Sequence, residues 1–401
     1  MGIQNIIENA IWLVLIGLCV KYVQFDDELN PKDLSHTVMN TRTLHPTNST
    51  LLNDTGELAQ VGWHPYPVMT INEDKLANVF MGFSPFTPYR YKQFEYHMVS
   101  SGPHVLFFAL ANIKYAGSVF MGYYNYDTNE LLEDADLTLP WEMIPMDTNA
   151  AMTYKRNIDY TKGGLRLSYK DTTFPDQKKT VREYQVSSEK LGISGSWKFE
   201  MGIQEWDTKW PALQGHLQVE PIDDAQRYWH LGYKMYGLEV TGNLKVADKN
   251  IALGKSEKSL GMFDVGAGVF QYKTHWVWIA ANFVLEDGRR MAFNFGGGIS
   301  KTDKAQSNED YVIINGHTVI MEPVVISYNP DNLKEDWLLK TDADIYKKYA
   351  VPEGAFTERT LDLKFTHNKS FEDSKNMGLV KSRLVQNFGT FSGWVRDDTD
   401  E

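Results

Sequence analysis

The sequence predicts an all-β protein. Three observations carry that prediction. Short apolar–polar alternations recur from Leu51 to Val395; Gly, Pro, Asn and Asp punctuate them; and aromatic residues make up 13% of the chain. Tyr and Trp favour strands because their large rings bury well on a pleated surface. Helix signals are few: an apolar run near the N-terminus and the segment Asp342 to Tyr349. Strands of this length and spacing indicate sandwiches or up-and-down barrels. With 401 residues there is room for two domains of ordinary size. The acidic, proline-bearing Glu220-Pro221-Ile222-Asp223-Asp224 marks the expected division, giving β-domains over 51–222 and 223–401.

The N-terminus is of another kind. Ala10 to Val20 is uninterrupted and apolar, and counted from Ile3 to Phe25 the stretch reaches about the 20 residues that span a bilayer as a helix. Residues 1–24 are therefore expected to be a transmembrane anchor. The alternatives are a cleaved signal peptide, whose apolar core is about 7–15 residues, and a buried helix. Against cleavage, no Lys or Arg precedes the run and Lys21-Tyr22 follows it. Residues 25–50, polar and broken by Pro31 and Pro46, read as an extended arm.

Candidate strands follow in order: Tyr91–Val99, Val105–Tyr115, Ser118–Tyr126, Gly164–Tyr169, Ser194–Met201, His230–Leu244, His275–Leu285, Arg290–Phe295, Tyr311–Ile314, Thr318–Tyr328, Thr360–Phe365 and Leu384–Val395. The hairpin around Glu286-Asp287-Gly288 is the clearest. Period-2 alternation sets His275, Val277 and Ile279 on one face and Trp276, Trp278 and Ala280 on the other.

Composition excludes several functions. A net charge of -12 offers no basic field for nucleic acid. The single cysteine, Cys19, lies in the apolar run, so the β-region holds neither a disulfide nor a thiolate metal site. No histidine pair has metal-ligand spacing, and Gly296-Gly297-Gly298 lacks the Lys-Ser/Thr and helix of a phosphate loop. Neither cofactor nor metal is expected.

Several stretches in fixed order resemble a known family. They include Leu51-Leu52-Asn53-Asp54-Thr55-Gly56, Tyr91-Lys92-Gln93-Phe94-Glu95-Tyr96, Tyr233-Lys234, Phe263-Asp264-Val265-Gly266-Ala267-Gly268, Trp276-Val277-Trp278, Asn294-Phe295-Gly296-Gly297-Gly298, Asn308-Glu309 and Phe388-Gly389-Thr390-Phe391-Ser392-Gly393. The chain is similar in these to a widespread family of unknown function related to carotenoid 1,2-hydratase. The resemblance implies two lipocalin-like antiparallel β-barrels packed together. Where relatives carry an Arg-Gly pair, this chain has Ala267-Gly268.

Candidate catalytic residues are Asp264 and Glu309, an acid and a base for hydration or isomerisation, with Lys234 and His275 beside them. Trp276, Trp278, Glu95, Tyr96 and Tyr236 are candidate ligand contacts. Each has a structural alternative: Asp264 as a turn cap, Trp276 and Trp278 as packing, and His275 as a hydrogen-bonded strand residue. The reading that follows is a membrane-anchored, non-catalytic accessory module with a vestigial apolar-ligand cavity. Membrane lipid, other membrane-complex subunits and an apolar small molecule are its expected partners, in the mitochondrial inner membrane or the secretory membranes. The alternatives are a membrane-tethered hydratase or isomerase on an isoprenoid or fatty acyl substrate, and a secreted lipid carrier.

Overall fold

The computed structural model describes residues 49–59, 62–64, 69–78, 90–114, 116–138, 144, 146, 156–177, 179–202, 215–222, 228–271, 274–297, 309–321, 324–341, 360–376 and 381–396. The expected anchor over 1–24, most of the arm and the helix at 342–349 lie outside them. No helix among the described residues is long and apolar enough to cross a membrane.

β1 (Ser49–Thr50), β2 (Gly62–His64) and β3 (Met69–Thr70) are short. A meander follows: β4 (Tyr91–Ser101), β5 (His104–Asn112), β6 (Gly117–Asn125) and β7 (Glu130–Thr138). A second meander comprises β8 (Asn157–Lys162), β9 (Leu165–Phe174), β10 (Lys179–Ser188) and β11 (Ile193–Gly202). Then come β12 (Gly215–Pro221), the long β13 (Trp229–Val246), β14 (Lys249–Leu253) and β15 (Leu260–Val269). All but β1 and β3 form one sheet, ordered β7-β6-β5-β4-β15-β13-β11-β10-β9-β8 along its main path.

β13 joins the two meanders. Its first half pairs with β12, its second half with β11, and its other edge with β15 and β14. The expected division at 222/223 therefore falls inside one hydrogen-bonded sheet. The sheet curls into a half-barrel whose edge strands approach each other. Tyr160 on β8 donates to Asp136 on β7 at 3.3 Å, and Lys162 pairs with the same carboxylate at 3.4 Å.

The sheet changes after Val269. β16 (Val277–Val284), β17 (Arg290–Gly297), β18 (Tyr311–Ile314) and β19 (His317–Ile320) form one four-stranded sheet. β20 (Val324–Ser327), β21 (Trp337–Thr341), β22 (Thr360–Asn376) and β23 (Lys381–Arg396) form another. The second half is thus a pair of sheets around one apolar cluster that includes Ile279, Phe293, Leu339 and Phe365. The single strand expected from Thr318 to Tyr328 breaks at Met321, whose N–H donates to Asp310. The Glu286-Asp287-Gly288 turn forms as expected, with Gly288 at φ 88°.

Strand alternation sorts the core. Odd-numbered positions of β4, β13 and β15, among them Val99, Leu231 and Phe263, join the cluster inside the half-barrel. Even-numbered Tyr96, Tyr236 and Met262 join a second cluster with Phe107, Ala292, Tyr311 and Phe388, which seals the half-barrel's outer face against the other two sheets. That outer face contains the candidate site.

Candidate functional site

Register brings the first three residues together. Lys234 on β13 lies opposite Asp264 on β15, and Asp264 lies opposite Tyr96 on β4. Because all three point to the same face, Tyr96, Asp264 and Lys234 form a row across the middle of the sheet. Just beyond Lys234, a bulge between Met235 and Leu238 interrupts the β13–β15 pairing. Gly237 there adopts φ 63°, and its N–H donates to Asn282 Oδ1 at 2.9 Å. That bond fastens the bulge to β16.

The covering strands complete the site. Glu309, just before β18, accepts from Lys234 Nζ at 3.1 Å, and Lys234 Nζ stands 3.2 Å from Asp264 Oδ2. Trp278 lies with Lys234 Nζ 5.3 Å from its ring centre, and its edge meets Tyr96 at 5.3 Å between ring centres. Asn294 Oδ1 accepts from both Trp278 Nε1 at 2.6 Å and Tyr236 O–H at 2.8 Å, and Asn294 Nδ2 donates to the Glu309 carbonyl at 2.5 Å. His230 Nδ1 lies 3.7 Å from Glu309 Oε1. Lys234, Asp264, Glu309, His230 and Asn294 are all buried.

One ammonium faces two carboxyls in a region closed to bulk water. Two adjacent carboxylates and one cation leave an excess negative charge, which a proton removes. Asp264 is the group it reaches. Burial, reinforced by the Glu309 charge, pushes its pKa up to about 6 against the pull of Lys234. Burial works against the Lys234 ammonium, but Asp264 and Glu309 outweigh it and raise its pKa. Burial lowers His230 to about 4, so its imidazole is neutral at pH 7. Asp264 Oδ1 and His230 Nε2 have no hydrogen-bond partner among the described residues. A buried polar atom left without one marks a place for water or ligand.

Gly296 is needed here for a specific reason. A Cβ at that position would lie 2.3 Å from Glu309 Oε2. Gly296→Ala is therefore expected to push the carboxylate off Lys234 and to cost about 1–3 kcal/mol. Urea unfolding at pH 7 checks it: unchanged stability would show that Glu309 adjusts freely.

Six of the nine expected residues meet in this site: Asp264, Glu309, Lys234, Trp278, Tyr96 and Tyr236. The other three do not. Glu95 neighbours Tyr96 on β4 and therefore points the opposite way, into the half-barrel. There it is fully buried and accepts from Arg156 Nη2, from Tyr169 O–H and from His97 Nε2, the last at 3.2 Å. His97 Nδ1 meets Tyr184 O–H at 3.0 Å, and Arg182 grips Asp171 with two bonds of 2.7 and 2.8 Å. His275 and Trp276 precede β16, and Trp276 is 51% exposed. Sequence reasoning missed His230 and Asn294. The usable signals were the even spacing of His230 with Lys234, and Asn294 heading the glycine run.

Comparisons with known proteins agree with the sequence resemblance to a family of unknown function. Residues 42–401 match the family described as Domain of unknown function (DUF2804). No curated protein matches the chain. Among solved structures, CghA with Sch210972 is similar at TM-score 0.48 and 10% identity, covering 88% of this chain and 94% of that one. Kievitone hydratase from Nectria haematococca gives 0.41 and 11%, covering 75% and 87%. A further CghA structure gives 0.46 and 11%, covering 88% and 94%. Nothing about the chemistry of this chain rests on these three likenesses.

Proposed function

The chain belongs to the DUF2804 domain family, and from that premise we propose that it is a cofactor-independent enzyme that transfers protons to and from an apolar substrate. The reaction class is hydration, or the related isomerisation, of a carbon–carbon double bond. One observation carries the reading: the Asp264 carboxyl is buried, has its pKa pushed up to about 6 by that burial, and has an oxygen with no partner among the described residues, next to a paired Lys234 and Glu309. A carboxylic acid whose pKa is raised toward neutral pH is the kind of group needed to protonate an unactivated double bond. Trp278, Tyr96 and Tyr236 supply the apolar, aromatic surroundings.

The expectation of a non-catalytic module leaned on the missing Arg at Ala267-Gly268. Lys234, on the neighbouring strand, provides a cation beside Asp264 instead. The membrane-anchored accessory role depends on residues 1–24, outside the described residues, and no observation here favours it.

The test uses the full chain in D2O with geranylgeraniol and, separately, oleic acid as alkene probes. Mass spectrometry should find a product that has gained one carbon-bound deuterium and one hydroxyl group, and Asp264→Asn should abolish it. No labelled product from either probe, or equal product from the variant, would overturn the reading.

A further inference from the structure

His230 has a geometry that the acid role of Asp264 does not explain. Its ring is 2% exposed and stacks on Phe94, with centres 5.8 Å apart and planes at 14°. Phe270 closes on it at 5.9 Å. Nδ1 faces Glu309 Oε1 at 3.7 Å, while Nε2 has no partner among the described residues. A carboxylate on the Nδ1 side favours the tautomer with hydrogen on Nδ1, which leaves the Nε2 lone pair as an acceptor. The distance is long for a hydrogen bond, as such contacts often are before substrate binds.

Two glycines border the space beside Nε2. Gly232 follows His230 on the same face of β13 and lies opposite Gly266 on β15. A Cβ at Gly232 would sit 3.2 Å from His230 Cε1 and 3.6 Å from Nε2. The ring of Phe94 leans over Gly266, 2.2 Å from where a Cβ would be. Gly232 therefore leaves a narrow gap between the His230 ring and Lys234, whose Cε would lie 3.5 Å from the same Cβ, while Phe94 covers Gly266 alongside.

We propose that His230 Nε2 is the proton acceptor of this site, that Glu309 is the positioning residue that orients it, and that the reacting atoms lie over Gly232. The inference rests on the reading of Asp264 as the acid. In hydration, the Asp264 O–H bond breaks as a C–H bond forms on one alkene carbon. The oxygen of water bonds to the other carbon, and that water's proton passes to His230 Nε2. Once the alcohol has left, the imidazolium releases that same Nε2 proton and the Asp264 carboxylate takes one up, while the Nδ1 proton stays directed at Glu309. Acid and base are then both restored. Alkene and water become an alcohol, with no change of electron count.

The experiment begins without substrate, on the full chain containing 15N-histidine, with His230→Gln to assign the signal. At pH 7 wild-type His230 should carry its proton on Nδ1, and Glu309→Gln should shift population toward Nε2–H. A proton on Nε2 in the wild type, or a tautomer indifferent to Glu309→Gln, overturns the inference. In the alkene assay, His230→Gln should lower kcat about 100-fold or more, and Gly232→Ala should raise KM. If His230→Gln keeps the wild-type rate while Asp264→Asn loses it, His230 is not the acceptor and the acid reading stands. If Asp264→Asn keeps the rate, the parent reading falls, and this inference falls with it.

Discussion

Glu95→Gln is expected to destabilise the fold by about 3–5 kcal/mol at pH 7, because it leaves a buried guanidinium without its counter-ion. Arg156 is 4% exposed and Glu95 fully buried, so water cannot replace the lost charge. The amide also supplies only one acceptor where the carboxylate received three donors, from Arg156, Tyr169 and His97. Burial alone would raise the Glu95 pKa. The Arg156 charge, then the His97 and Tyr169 contacts, outweigh it and hold the carboxyl far below its ordinary value of 4.5. A depressed folded pKa gives stability that is present above 4.5 and lost as pH falls through the acid range. His97, lowered by burial, acts with the same sign, its contribution being present above 6.5. Urea unfolding of wild type and variant from pH 3 to 8 should therefore show a gap that is widest at neutral pH and narrows in acid. A gap under about 1 kcal/mol at pH 7, or one that does not change with pH, would show that the network contributes little.

Lys234→Met should affect both stability and chemistry. Methionine keeps the stem's apolar packing but leaves Asp264 and Glu309 buried side by side with no ammonium between them. The expected loss is about 3–5 kcal/mol above pH 7, and alkene hydration should disappear. Acidification should recover much of the stability, because protonation removes the repulsion. Adding Asp264→Asn to Lys234→Met should do the same at neutral pH. The two substitutions should thus be strongly non-additive, as residues sharing one network are. An additive pair would mean that the Lys234–Asp264 contact at 3.2 Å has little energetic weight.

Much of this was legible in the sequence, and the misses have physical causes. Tyr311–Ile314 is a strand with the expected bounds, and Val277 and Ile279 face away from Trp278 as period-2 alternation requires. The strands overlooked include β7 and β10. β7, Glu130–Thr138, carries acidic residues along a sheet edge, and β10, Lys179–Ser188, carries Arg182 inward against Asp171. Both look like solvated chain until their partners are known. Topology was hidden for a different reason: β13 pairs with four other strands, and pattern alone does not say which.

The site was legible wherever a motif and its strand period agreed, as at Lys234, Asp264 and Trp278. It failed at Glu95, which was grouped with Tyr96 by adjacency although neighbours on a strand face opposite sides. His230 was invisible because a lone histidine on a strand means little until Glu309, 79 residues later by the numbering, comes within 3.7 Å.

The central claim is that the Asp264 pKa is raised toward neutral pH. It is tested most directly by carboxyl 13C NMR on the full chain containing 13C-aspartate, with Asp264→Asn identifying the signal. Asp264 is predicted to titrate near 6, well above its ordinary value of 3.8. With a raised folded pKa, the stability it contributes is full below 3.8 and lost as pH rises through about 6. The same samples should therefore show wild type losing stability relative to Asp264→Asn across that window. A carboxyl that titrates at or below 3.8 would be fully ionised at neutral pH, and the protein would have no acid at this site.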